Sequence, residues 1–228
     1  MSQSMVSALA VATALIQELQ PLLALSSQPC LRLSEEIPTL IARYLSGPIT
    51  PASTFDFEND LRLLLDECGR VVVEIVFNHI EPENPQDAPK HTRRDRQDYS
   101  RKNQKSPNRG GIATLFGTIE LQRCLYEPLQ EARDDAQRSF SPLQLCLGIV
   151  AGNATPALAE RVGRQANQHT QQQMLDLLAR DHHLEWSVKV LRAVTAAVSA
   201  GIAPYLRQMQ RQALLPALCA SALSIPSL

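Results

Sequence analysis

The chain has 228 residues, a formal charge of −1, 44% apolar residues and only 4% aromatic residues. That is enough to bury one large core or two small ones, built mostly from Leu, Val, Ile and Ala. Five scattered cysteines without a CxxC pair exclude the common zinc spacings, and no run of about 18 apolar residues predicts a membrane span.

The near-zero charge hides a segregation. Glu35 to Asp87 holds eleven acids against three bases, and Lys90 to Arg109 holds eight bases against two acids. The first region is therefore acidic and the second basic, which is more informative than the total.

Residues 1–53 read as a helical region. Val6–Leu25 is rich in Ala and Leu, and Pro21 kinks or shortens it. It has no basic leader segment, so it reads as an amphipathic or buried helix and not a signal peptide. Ser34–Leu45 is a second short helix that Ser34 can cap. Gly47, Pro48, Pro51 and Ser53 mark a break.

Residues 54–81 predict one long amphipathic helix. Phe57, Leu61, Leu64, Leu65, Cys68, Val72, Ile75 and Val76 recur at helical spacing, with most charges elsewhere. Residues 82–110 are polar and proline-containing, and read as an arm or linker. Its bases, Lys90, Arg93, Arg94, Arg96, Arg101, Lys102, Lys105 and Arg109, suit phosphate neutralisation; a solvated linker paired with the acidic region is the other reading.

Between residues 111 and 127 the period changes to two, which predicts a β-hairpin turning near Phe116–Thr118. Residues 141–212 return to helical spacing, with starts near Pro142, Pro156, Thr170 and Glu185. Met174, Leu177 and Leu178 form one apolar stripe, and Leu184, Val188, Leu191, Val194 and Val198 form another. Asp181-His182-His183 separates them as a tight turn, and Lys189 and Arg192 point away from the second stripe. Two readings stand: a helical hairpin in an α-helical domain, or a helix-turn-helix whose second helix enters DNA. Residues 213–228 are an uncharged apolar tail of undetermined fold. The expected class is mainly α with one small β-hairpin and a helix-turn-helix in the C-terminal half.

Several motifs occur in a familiar order: the Phe57–Glu81 helix, the basic arm, Leu115-Phe116-Gly117-Thr118-Ile119-Glu120-Leu121, Arg123-Cys124-Leu125-Tyr126, Leu147-Gly148, Thr155-Pro156-Ala157-Leu158 and the Trp186–Val194 helix. Over Phe55 to Gly201 this resembles the N-terminal part of bacterial DDE-class insertion-sequence transposases of the Kra type. The resemblance implies a bacterial, cytoplasmic protein that binds double-stranded DNA at element ends, alone, as a homo-oligomer or with an intact transposase. Relatives carry cysteine pairs after the hairpin tyrosine; here Tyr126 leads into Glu127-Pro128-Leu129, so no metal is carried over. The family's ribonuclease-H-like catalytic domain would begin where this chain ends, and no Asp/Asp/Glu set can be assigned. The expected activity is binding without catalysis, and no cofactor is expected. Arg93, Arg94, Arg96, Arg101, Lys102, Lys105, Arg109, Lys189 and Arg192 are the candidate DNA contacts. The alternatives are a protein–protein interaction module, pairing through Val6–Leu25 and Leu214–Leu228, and a non-functional remnant of a transposase gene.

Overall fold

The computed structural model describes residues 29, 31–94, 96–129 and 139–201. The chain divides into two compact units, Met1–Val76 and Phe77–Leu228. The whole of the predicted N-terminal helix, Val6–Leu25, and the whole apolar tail at 213–228 lie outside the described residues.

In the first unit, α1 (residues 31–46) and α2 (Pro51–Ile80), as far as Val76, form a helical hairpin. Ser34 lies inside α1 and does not cap it; its hydroxyl donates to the carbonyl of Leu31. Pro51 does not break the chain but opens α2, because a first-turn proline gives up only a donor that the helix cannot use. Thr50 and Ser53 cap that start reciprocally, each hydroxyl accepting the other's backbone N–H, at 2.9 and 3.1 Å. Tyr44 of α1 stacks on Phe57 at 4.6 Å, and its hydroxyl lies 3.0 Å from that of Thr54. Arg43 pairs with Asp60, and Leu40 is buried. No residue of α2 is fully buried, although it is 30 residues long.

The second unit is mixed α and β. Among the described residues it has seven short strands, so the expectation of one hairpin in a mainly α chain is corrected. The arm at 82–110 is structured. A 3-10 turn (Pro85–Asp87) leads into β1 (His91–Arg94) and β2 (Gln97–Arg101), with β3 at Ser106–Pro107. β1 and β2 pair antiparallel, and β2 continues onto β7 (Tyr126–Pro128). Polar composition concealed these strands. Only Tyr99 and Arg101 are buried from β1 and β2, and their partner strand lies 25 residues downstream.

The predicted hairpin forms but is tighter. β4 (Ile112–Thr114) pairs with β5 (Gly117–Ile119), leaving Leu115 and Phe116 as the loop. The Thr114 hydroxyl closes it by donating to the Gly117 carbonyl and accepting the Phe116 N–H. β5 stops at Ile119, and β6 (Gln122–Arg123) pairs with β3 instead. Gly111 precedes β4 at φ +70°, and a Cβ there would sit 2.2 Å from the Thr118 methyl, so only glycine fits.

Four helices follow: α3 (Pro142–Cys146), α4 (Pro156–Gln165), α5 (Gln171–His182) and α6 (Val188–Ser199). Two cores result. Leu158, Ala159, Val162, Met174, Leu178, Leu184, Leu191 and Val194 fill the helical one, with Ala113 of the hairpin against it. Tyr99, Cys124, Tyr126 and Phe140 form the other, beneath the three-stranded sheet. Phe140 meets Tyr99 edge-on at 4.9 Å and stacks on Tyr126 at 5.5 Å. Its backbone also exchanges two hydrogen bonds with Tyr126, extending the sheet.

The C-terminal turn of α2 is a fastener within this unit. The Asn78 amide donates to the Glu120 carbonyl and accepts the Gln122 N–H, at 2.8 and 2.7 Å. One turn on, the Glu81 carboxylate accepts the Cys124 N–H. Glu81 is 5% exposed, and its burial raises the carboxyl above its ordinary range.

Candidate nucleic-acid interface

α6 is positioned by its two neighbours. Leu191 and Val194 are buried where α6 packs on α4 and α5. α4 approaches closely because Gly163 offers no Cβ; one there would lie 2.4 Å from the Val198 methyl. α5 is anchored at both ends. Thr170 and Gln173 form a capping box at its start. At its end the buried His182 ring, through Nδ1, lies 2.7 Å from the Leu115 carbonyl and ties the helix to the hairpin loop.

His182 therefore closes α5 and is not part of a turn. The turn is 183–187, and His183 takes the left-handed conformation, φ 53° and ψ 40°, where glycine is usual. The N–H of Leu184 bonds back to the Leu178 carbonyl, and its side chain is 1% exposed. Ser187, two residues after the predicted start at Glu185, caps α6 by accepting the Val190 N–H.

With Leu191 and Val194 inward, α6 presents Val188, Lys189, Arg192, Ala193, Ala196 and Ser199 to solvent. Val188 is a correction: it belongs to the predicted apolar stripe, yet it is 37% exposed at the helix start. Two clefts border this helix. One, of about 470 Å³, lies between its N-terminus and the β3–β4 turn, lined by Gly110, Gly111, Asn153, Glu185, Trp186 and Ser187. Arg109, next to Gly110 in sequence, is exposed and does not line this cleft. The other, of about 310 Å³, lies among the end of α4, the start of α5 and the α6 face, lined by His169, Gln171, Arg192, Ala196 and Ser199. Across it Arg192 donates to the Gln171 side-chain oxygen at 3.0 Å.

The bases of the arm are not one strip. Arg101 is 7% exposed, and its guanidinium donates to the Lys102 carbonyl and the Gln86 side chain, at 3.0 and 3.2 Å. It is removed from the phosphate-contact set because strand alternation turns it inward. Arg94 is half-buried, its guanidinium 5.0 Å from the Phe140 ring centre, so it serves the sheet core. Lys102 pairs with Glu127 at 2.7 Å and Arg93 with Asp98 at 3.8 Å; both pairs are exposed. Lys90, Arg96 and Arg109 are exposed and make no ion pair among the described residues, and Lys105 is half-buried.

Burial pushes the Cys124 thiol up to about 11 and the Tyr126 hydroxyl up to about 12, the latter donating to the Pro89 carbonyl. Neither supplies a nucleophile or a base near neutral pH. Among the described residues no group of three or more His, Cys, Asp or Glu side chains is placed to hold a metal ion. None of the helices in those residues is long and apolar enough to cross a membrane.

Reasoning from sequence missed Gln171 and the small residues Ala193 and Ala196. The expected start at Thr170 puts Gln171 in the first turn of α5, and Thr170-x-x-Gln173 is its capping signature. Its reach to Arg192 depends on how two helices cross, which periodicity does not report. No family model matches the chain, and no curated protein or solved structure matches it.

Proposed function

We propose that this chain is a double-stranded DNA-binding module whose reading element is α6. The observation that carries the reading is the α5–turn–α6 arrangement on a three-helix core, with Lys189 and Arg192 on an exposed face otherwise made of short side chains. Such a face admits close approach to a major groove, and Arg192 and Lys189 supply the charge. The exposed Lys90, Arg96 and Arg109 would add phosphate contacts. The resemblance noted in the sequence makes the ends of an insertion sequence the expected site, in a bacterial cytoplasm, and the activity binding without a chemical step.

The test is fluorescence anisotropy of labelled duplex titrated with the whole chain across salt. Affinity should fall steeply with ionic strength, and each removed phosphate contact should lower the log–log slope by about 0.9. Lys189→Gln and Arg109→Gln should each do so. Absence of duplex binding at low salt sinks the reading.

A second reading, association with a protein or a second copy, draws on α2. None of its 30 residues is fully buried, and Phe55, Leu63, Leu65 and Val76 are exposed. Association through apolar surface would be insensitive to salt, which separates the two readings in the same titration.

A further inference from the structure

We infer that Arg192 reads a guanine and that Gln171 is the positioning residue that orients it. The inference rests on the DNA-binding reading above and goes further, to the base and to the residue that makes the choice. Gln171 is the first residue of α5, held in place by the Thr170–Gln173 capping box on either side of it. Its side-chain oxygen accepts one N–H of the Arg192 guanidinium at 3.0 Å. An unrestrained arginine on an exposed helix face samples many rotamers and contacts any phosphate within reach. One fixed hydrogen bond from a capped helix start removes much of that freedom. Four guanidinium N–H groups remain, enough for the two-point contact with O6 and N7 that distinguishes guanine in the major groove.

The neighbours of Arg192 on α6 favour the same outcome. Ala193 and Ala196 are exposed and short, so the helix backbone can come near base edges. Val188, one turn before Arg192, is exposed and apolar, with no hydrogen bond to offer. Lys189, by contrast, has no partner that fixes its direction among the described residues, and a lysine is a point charge without a fork. Base choice therefore falls to Arg192, and Lys189 contributes affinity to any duplex.

The experiment is selection from a randomised double-stranded DNA pool with the whole chain, followed by sequencing. It is run for the wild type, Arg192→Lys, Gln171→Ala and Gln171→Glu, each checked for an unchanged melting curve. The wild type should enrich sites with one near-invariant guanine, preferred about tenfold or more over other bases there. Arg192→Lys should lose that preference, read as the ratio of affinities for the selected and the scrambled duplex. Gln171→Ala should weaken the preference about fivefold with the same scrambled-duplex affinity, and Gln171→Glu, which keeps an acceptor, should retain it. Enrichment without a guanine, or a guanine preference that survives Arg192→Lys or is untouched by Gln171→Ala, overturns the inference and leaves the DNA reading standing. No salt-sensitive binding to any duplex overturns both.

Discussion

The two cores of the second unit are built on different principles. The helical one is filled by aliphatic side chains from three helices, and its polar groups are satisfied by helix ladders and caps. The sheet core is Tyr99, Cys124 and Tyr126 around Phe140, with Arg94 on its ring and Asn78 and Glu81 pinning the neighbouring strand segment from a helix end. The first spreads its stability over many weak contacts. The second concentrates it in a few aromatic contacts and side-chain-to-backbone bonds, so single changes should act there through one or two identifiable groups.

The chain's only tryptophan, Trp186, packs against the helical core and reports on it. Leu158→Ala should lower stability by about 3–4 kcal/mol, seen as a shifted urea midpoint of Trp186 fluorescence. Phe140→Ala should cost about 3 kcal/mol. Its effect should appear first as faster amide exchange in β2 and β7, with a smaller shift in the Trp186 midpoint. Equal shifts would mean that the two cores melt as one, and the distinction would be broken. Gly163→Ala presses a methyl against Val198 and should cost about 1–2 kcal/mol at the α4–α6 contact, with exchange in the sheet unchanged.

Glu81 gives the sheet side a pH signature. Because burial raises its folded-state pKa, the folded chain holds that proton more tightly than the unfolded one. Its contribution is fullest below the unfolded value and is lost as pH rises through the folded one. Glu81→Gln keeps an acceptor for the Cys124 N–H and removes the titration. The variant's melting temperature relative to wild type should therefore climb as pH rises from the ordinary glutamate range through the raised folded-state value; a flat difference counts against the raised carboxyl. The smallest effect belongs to His183, whose left-handed backbone disfavours a side chain. His183→Gly should stabilise the α5–α6 turn by about 0.5 kcal/mol, read from the Trp186 midpoint.

The helical half was legible because its signals are local. Pro156, Thr170 and the spacing of Met174, Leu178, Leu191 and Val194 place helices without knowledge of their neighbours. β1 and β2 were not, because His91-Thr92-Arg93-Arg94 has no apolar alternation and gains its partner only through tertiary pairing. The same gap affected the interface. Lys189 and Arg192 could be placed outward from the stripe alone. The burial of Arg101 and the capture of Lys102 by Glu127 follow from strand register, which a charge count does not contain.

The Asn78–Glu81 turn carries one more consequence. The groups it satisfies, the Glu120 carbonyl and the Gln122 and Cys124 N–H groups, alternate along one edge of the β6 segment. A bare edge of that kind recruits the edges of other molecules. Here two side chains from the end of a helix occupy the place of a neighbouring strand, so this edge is closed to pairing without a further strand being added. The Gln122 and Cys124 amides should then exchange slowly for as long as that helical turn remains seated.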